Sequence, residues 1–222
     1  MANYTTPSDL ESHFDKTASI TQNGKEIEYG IIDGSSTIIF IKAGLKGSCY
    51  GYENKYAKIG RALNEKHGCS IISFSNPLGT HTDFDLEMDF VRKYAEEKDF
   101  TDYQVYYLGY SNGASLGISS AYRFPEIKKL VCINGPLMRN PLSILRGIKN
   151  FSGEKMYLVY GSKDPSFNLL KLYSNLKSDK IDFVRLFGVD HYFTGCLDLF
   201  IELPGILFLG DELTGRNVKI CQ

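Results

Sequence analysis

Tyr106-Tyr107-Leu108-Gly109-Tyr110-Ser111-Asn112-Gly113-Ala114 is the stretch on which the fold turns. Its first residues, preceded by Gln104 and Val105, are aromatic and apolar and predict a buried strand, whereas the pattern from Asn112 to Phe124 is helical. A strand that passes straight into a helix makes a sharp turn, and the residues two positions either side of its apex must be small to let the two segments pass. Gly109 and Gly113 stand at that spacing around Ser111. The turn presents the serine hydroxyl at a helix start, where free N–H groups and the helix dipole favour negative charge.

Outward from this turn, short β-branched runs alternate with amphipathic segments, as in a parallel sheet with crossover helices. Strands are expected at Thr37–Lys42, Ser70–Ser75, Gln104–Leu108, Lys129–Ile133, Lys155–Tyr160 and Asp182–Phe187. Helices are expected at Tyr52–Lys66, Phe84–Glu97, Asn112–Phe124, Phe167–Leu176 and Thr194–Ile201. Between Ile20 and Asp33, two strand-like runs flank Asn23-Gly24, a dipeptide suited to a type I′ hairpin. The expected fold class is therefore α/β: a mostly parallel central sheet with an N-terminal antiparallel hairpin and helices on both faces. In the second helix Phe84, Leu86, Met88, Phe90 and Val91 are expected inward, with Asp85, Glu87, Asp89, Arg92 and Lys93 facing water rather than a metal.

No repeat, low-complexity tract or linker divides the chain, so residues 1–222 are expected to form one domain. With 25 basic and 26 acidic residues the net charge is −1, which supplies no electrostatic footprint for nucleic acid or anionic lipid and favours a small, uncharged or mixed substrate. The five cysteines are scattered and include no Cys-x-x-Cys pair, so neither a disulfide framework nor a zinc site is expected. The start lacks the pattern of a secretory signal, and the apolar run Leu199–Leu209, broken by Glu202 and Pro204, is too short to span a bilayer. A cytoplasmic protein without membrane association is expected. Oligomeric state is not legible in the chain.

The Gly-x-Ser-x-Gly pentapeptide alone reads equally as a glycine-flanked loop serine, but the strand before it and the helix after it resemble the α/β-hydrolase superfamily over roughly Thr37 to Phe193. The resemblance implies Ser111 as nucleophile, with an acid and then a histidine following in the chain. Gly161-Ser162-Lys163-Asp164-Pro165, after the strand ending at Tyr160, is similar to the family's acid-bearing segment, although Asp164 also suits a turn or helix cap. Gly188-Val189-Asp190-His191-Tyr192-Phe193 is similar to the loop that carries the base. The chemistry is coherent: a serine hydroxyl needs an imidazole to take its proton, and the imidazole needs a carboxylate to hold its tautomer. Asp164 is preferred to Asp190 for that carboxylate. Of the other histidines, His13 and His67 are expected at the surface, while His81 and Leu78, in the loop after the strand ending near Ser75, are candidate substrate contacts.

Where relatives carry a His-Gly pattern after the first central strand, this chain has Ala43-Gly44-Leu45-Lys46-Gly47-Ser48. An oxyanion needs only backbone donors, so the N–H groups of Asn112 and Leu45 are the candidates. The interval Asn134–Glu154, with one expected helix near Leu142–Ile148, is too short for a substantial cap, and with the Ser75–Asp83 loop it is expected to roof an open site. The resemblance implies a serine hydrolase for a small acyl ester, without metal or organic cofactor. Thioesterase, lysophospholipase or acyltransferase chemistry could use the same groups, and a non-catalytic ligand- or partner-binding protein is the alternative of another class.

Overall fold

The computed structural model describes residues 13–22, 24–77, 81–213 and 220–221. Fourteen regular elements follow one another: β1 (Lys16–Gln22), β2 (Lys25–Ile32), β3 (Ser35–Lys42), α1 (Lys55–His67), β4 (Cys69–Phe74), α2 (His81–Glu97), β5 (Gln104–Tyr110), α3 (Asn112–Ser120), β6 (Ile127–Ile133), α4 (Pro141–Asn150), β7 (Lys155–Gly161), β8 (Ile181–Leu186), α5 (Leu197–Leu209) and β9 (Ile220–Cys221). They build one nine-stranded sheet in the order β1-β2-β4-β3-β5-β6-β7-β8-β9. The strands from β4 through β8 run parallel, whereas β1, β2 and β9 attach antiparallel at the edges. The hairpin turn contains Gly24 at φ 73°; Asn23, its expected partner, lies outside the described residues.

The two faces of the sheet are separated by alternation along each strand. On β3, Ile38 and Phe40 join a core with Met88, Leu116 and Ile144, under α2, α3 and α4. Ile39 and Ile41 face the other way, toward Ile59, Leu63, Phe200 and Leu207 of α1 and α5. All four β3 side chains are fully buried, so neither face tolerates a polar residue and a slip of one position would exchange the faces. Helices thus cover both faces, as expected.

The order reverses at β3. From β3 the chain crosses by α1 to β4 on one side, and from β4 by α2 to β5 on the other, which opens a crevice at the C-terminal ends of β3 and β5.

Several boundaries differ from expectation. α1 begins at Lys55, because the preceding turn Tyr52–Asn54 contains left-handed Glu53 and Asn54. Phe167–Leu176 is a 3-10 run. The last helix extends to Leu209 and contains Pro204. A proline within a helix costs about 3 kcal/mol, but Leu203, Leu207 and Phe208 beside it are buried, each contributing about 1.5–3 kcal/mol, so packing prevails. On α2 the buried stripe is Phe84, Glu87, Met88, Val91 and Tyr94, a helical spacing that places Glu87 inward rather than in water. It can be buried because it meets the Lys42 ammonium, which also donates to the Ser75 carbonyl at 2.7 Å. Burial still pushes the Glu87 carboxyl upward, against the lowering effect of Lys42.

Candidate active site

Ser111 stands between β5 and α3 with φ 53° and ψ −120°, a backbone conformation that costs a non-glycine residue on the order of 1–3 kcal/mol and persists only when its surroundings enforce it. Here they do. A Cβ on Gly113 would lie 2.4 Å from the Lys42 carbonyl oxygen, and one on Gly109 would lie 2.7 Å from the Ala114 backbone. The flanking glycines are therefore required by the closeness of β3 and α3 to the turn. The Ser111 N–H donates to the Ile133 carbonyl at 2.8 Å, anchoring the turn to β6.

Two loops from neighbouring strand ends converge on it. After β7, Asp164 is buried; its Oδ1 accepts from the Ser166 N–H at 2.7 Å, and its Oδ2 lies 2.5 Å from His191 Nδ1. After β8, His191 places Nε2 3.2 Å from Ser111 Oγ. With Nδ1–H donating to the carboxylate, Nε2 is left as the acceptor for the serine hydroxyl. Asp164 therefore combines the turn-capping reading with contact to the imidazole. Asp190 does something else: its Oδ1 accepts from the Tyr192 and Thr194 N–H groups at 3.1 and 3.0 Å. The Thr194 N–H and side chain, followed by the Tyr192 and Phe193 N–H groups, hold the Asp190 carboxyl below the usual carboxylate range.

The Leu45 and Asn112 N–H groups donate no hydrogen bond among the described residues. Leu45 precedes left-handed Lys46, and the Gly47 N–H closes a turn onto the Gly44 carbonyl at 2.8 Å. Leu78 lies outside the described residues, and His81 opens α2 with its side chain outside them. His13 is exposed, while His67 is half-buried and bonded to Asp211 at 3.0 Å.

Some residues of the site carried no signal in the sequence pattern. Asn76, fully buried, donates through Nδ2 to the Ala43 carbonyl at 2.8 Å and to Asn112 Oδ1 at 3.0 Å, and its N–H reaches the Gly47 carbonyl at 2.8 Å. It clamps the Ala43–Gly47 loop to the serine turn. Asn134 donates to the His191 carbonyl at 3.1 Å while its Oδ1 accepts from the Gly161 N–H at 3.0 Å, and the Tyr110 hydroxyl donates to the same His191 carbonyl at 2.8 Å. These bonds fix the histidine loop to β5, β6 and β7.

The serine and histidine open on a cleft of about 810 Å³ whose described walls come from the segments Gly44–Tyr56 and His191–Asp198, together with Tyr110. Leu45, Tyr52 and Tyr192 form an exposed apolar rim. The segment Asn134–Glu154, expected to help roof the site, contributes no wall to this cleft among the described residues: α4 turns Ile144 and Ile148 into the core, packing on α3 instead. Lys55 lies at the bottom of the cleft, 5 % exposed, its Nζ 3.9 Å from the Tyr110 ring centre and 4.1 Å from that of Phe200. Burial lowers its pKa from the ordinary 10.5 to about 8. Among the described residues no group of three or more His, Cys, Asp or Glu side chains could hold a metal ion.

No protein-family model matches this chain, and no curated protein does. Solved structures do resemble it. Est1E from Butyrivibrio proteoclasticus is 15 % identical with a TM-score of 0.69, over 87 % of this chain and 97 % of that one. An α/β serine hydrolase homologue from Coxiella burnetii is 19 % identical with a TM-score of 0.66, over 86 % and 95 % of the respective chains. XC6422 from Xanthomonas campestris, described as an α/β serine hydrolase without a lid, is 16 % identical with a TM-score of 0.61, over 92 % and 99 %. The chain has the α/β-hydrolase fold. Among the described residues no helix is long and apolar enough to cross a membrane.

Proposed function

We propose that the protein is a serine hydrolase that cleaves a small carboxylic ester through an acyl-enzyme on Ser111. The observation that carries this reading is the hydrogen-bond chain from Asp164 through His191 to Ser111, at 2.5 and 3.2 Å. Ser111 Oγ attacks the ester carbonyl as His191 Nε2 takes its proton, and Asp164 stabilises the imidazolium without itself becoming protonated. The oxyanion is met by the Asn112 and Leu45 N–H groups, whose lack of other partners among the described residues leaves them available to charge as it develops. His191 then protonates the departing alcohol, and a water it activates releases the acid and restores Ser111. The names carried by two of the similar structures, serine hydrolase homologue and serine hydrolase without a lid, support the same reaction class.

The test is labelling by a fluorophosphonate probe together with turnover of para-nitrophenyl acetate. Wild-type protein is expected to be labelled and active, and Ser111→Ala to lose both while keeping its far-ultraviolet spectrum. A folded Ser111→Ala protein with near wild-type turnover would overturn the proposal, and an unlabelled, inactive wild type would favour the ligand-binding alternative.

A further inference from the structure

Lys55 is the first residue of α1, and its side chain lies against three rings that come from separate elements: Tyr56 of α1, Tyr110 of β5 and Phe200 of α5, with Nζ 5.3, 3.9 and 4.1 Å from their centres. Aromatic faces attract an ammonium but accept no strong hydrogen bond from it. Among the described residues no carboxylate pairs with Lys55, and burial is the one influence that shifts its titration. Its side chain lines the cleft that Ser111 and His191 also line. A buried cation with unfilled donors is costly, and a methionine would fill the same space without that cost.

We propose that the Lys55 ammonium receives a carboxylate carried by the substrate, so that the esters this site prefers are anionic, with the charged group held at the aromatic-walled bottom of the cleft while the ester lies at Ser111. This rests on the hydrolase reading and narrows its substrate class. Two acidic side chains line the same cleft, Glu53 and Asp198. Glu53 is exposed at the rim, where water screens its repulsion, and Asp198 already has a partner. An anion bound at Lys55 also sits beside Tyr110, whose ring centre is 5.5 Å from that of His191, close enough for the bound charge and the reacting ester to belong to one small molecule.

The experiment compares kcat/KM for charged esters and their neutral carboxamide counterparts at pH 6.5, where Lys55 is protonated. Monoethyl adipate against ethyl adipamate places the charge in the acyl half; 4-acetoxybenzoate against 4-acetoxybenzamide places it in the alcohol half. In wild-type protein one of the two charged esters is expected to exceed its counterpart by about tenfold or more, the worth of a hydrogen bond to a charged group. The ratio is expected to fall toward unity in Lys55→Met and to survive largely in Lys55→Arg. Because the readout is a ratio within each variant, a general loss of activity does not affect it. Ratios near unity in both pairs, or a preference unaltered in Lys55→Met, overturn the proposal. If the wild type hydrolyses no ester and takes no fluorophosphonate label, the hydrolase reading has failed, and calorimetric titration with adipate and 4-hydroxybenzoate decides the anion site alone: binding lost in Lys55→Met upholds it, whereas no binding, or binding independent of Lys55, removes it.

Discussion

Replacing Lys55 by methionine is expected to stabilise the protein at neutral pH. The ammonium titrates at its ordinary 10.5 in the unfolded chain and at about 8 in the folded one, which corresponds to about 3 kcal/mol of lost stability wherever both forms are charged. Attraction to the Tyr110, Phe200 and Tyr56 rings offsets about 1–2 kcal/mol of this, so the substitution gains on the order of 1–2 kcal/mol. In a chain of this size, 222 residues, that gain raises Tm by roughly 2–8 °C. The sign with pH follows directly. Between pH 8 and 10.5 the folded state binds fewer protons at this site than the unfolded state, so wild-type stability rises with pH through that window, and the advantage of Lys55→Met fades as the amine becomes neutral and loses both its desolvation cost and its attraction to the rings. The surrounding hydroxyls do not interfere, because burial holds Tyr56 and Tyr110 well above their ordinary 10. Urea titrations of both proteins at pH 7 and pH 10.5 check this. A destabilised variant at pH 7, or a gain that is the same at both values, refutes the reasoning.

Asp164→Asn is expected to lower kcat by about four orders of magnitude by presenting the wrong partner to His191 Nδ1, while Asp190→Asn, which loses only loop hydrogen bonds to Tyr192 and Thr194, costs tenfold at most; equal losses in steady-state assays would transfer the role. Gly113→Ala sets a methyl 2.4 Å from the Lys42 carbonyl oxygen and 2.6 Å from that of Ala43, and this clash with the backbone at the end of β3 is expected to lower Tm by at least 5 °C, or about 2 kcal/mol; a normal melting curve would show that β3 can withdraw. Across neutral para-nitrophenyl esters, kcat/KM is expected to peak at about two to six acyl carbons, because each further methylene gains its roughly 0.8 kcal/mol only where the cleft still excludes water. A steady rise toward long chains, or activation on emulsions, would require a cover over the cleft.

The parts of the molecule that were legible in the sequence are those written in local pattern. Strand, turn and helix around Ser111 occupy one continuous stretch, and Asp164 and His191 each follow an apolar run ending in a glycine segment, so their positions could be inferred from neighbours alone. Lys55 could not. In its own stretch it is an ordinary lysine at a helix entry, and its burial depends on Tyr110 and Phe200, which reach it through the β5 and α5 packing. Glu87 departs from expectation for a related reason: an acidic residue in a charged run suggests solvent, whereas its partner Lys42 comes from the end of β3. Asn134–Glu154 does not cover the cleft as expected because loop length sets how much chain is available but not the face of α4 that finds a partner on α3.

Ser111, Asp164 and His191 each follow a different parallel strand, β5, β7 and β8, and each strand is held by pairing with segments far from it in the chain. No single strand carries two of the three groups, so they stand within reach of one another only when β6, β7 and β8 are paired alongside β5. Parallel pairing of this kind forms slowly, since each contact closes a long loop before it gives any stabilisation. On the proposed hydrolase reading, activity of a refolding chain is expected to trail the recovery of helical signal, so that its return would time the completion of the sheet.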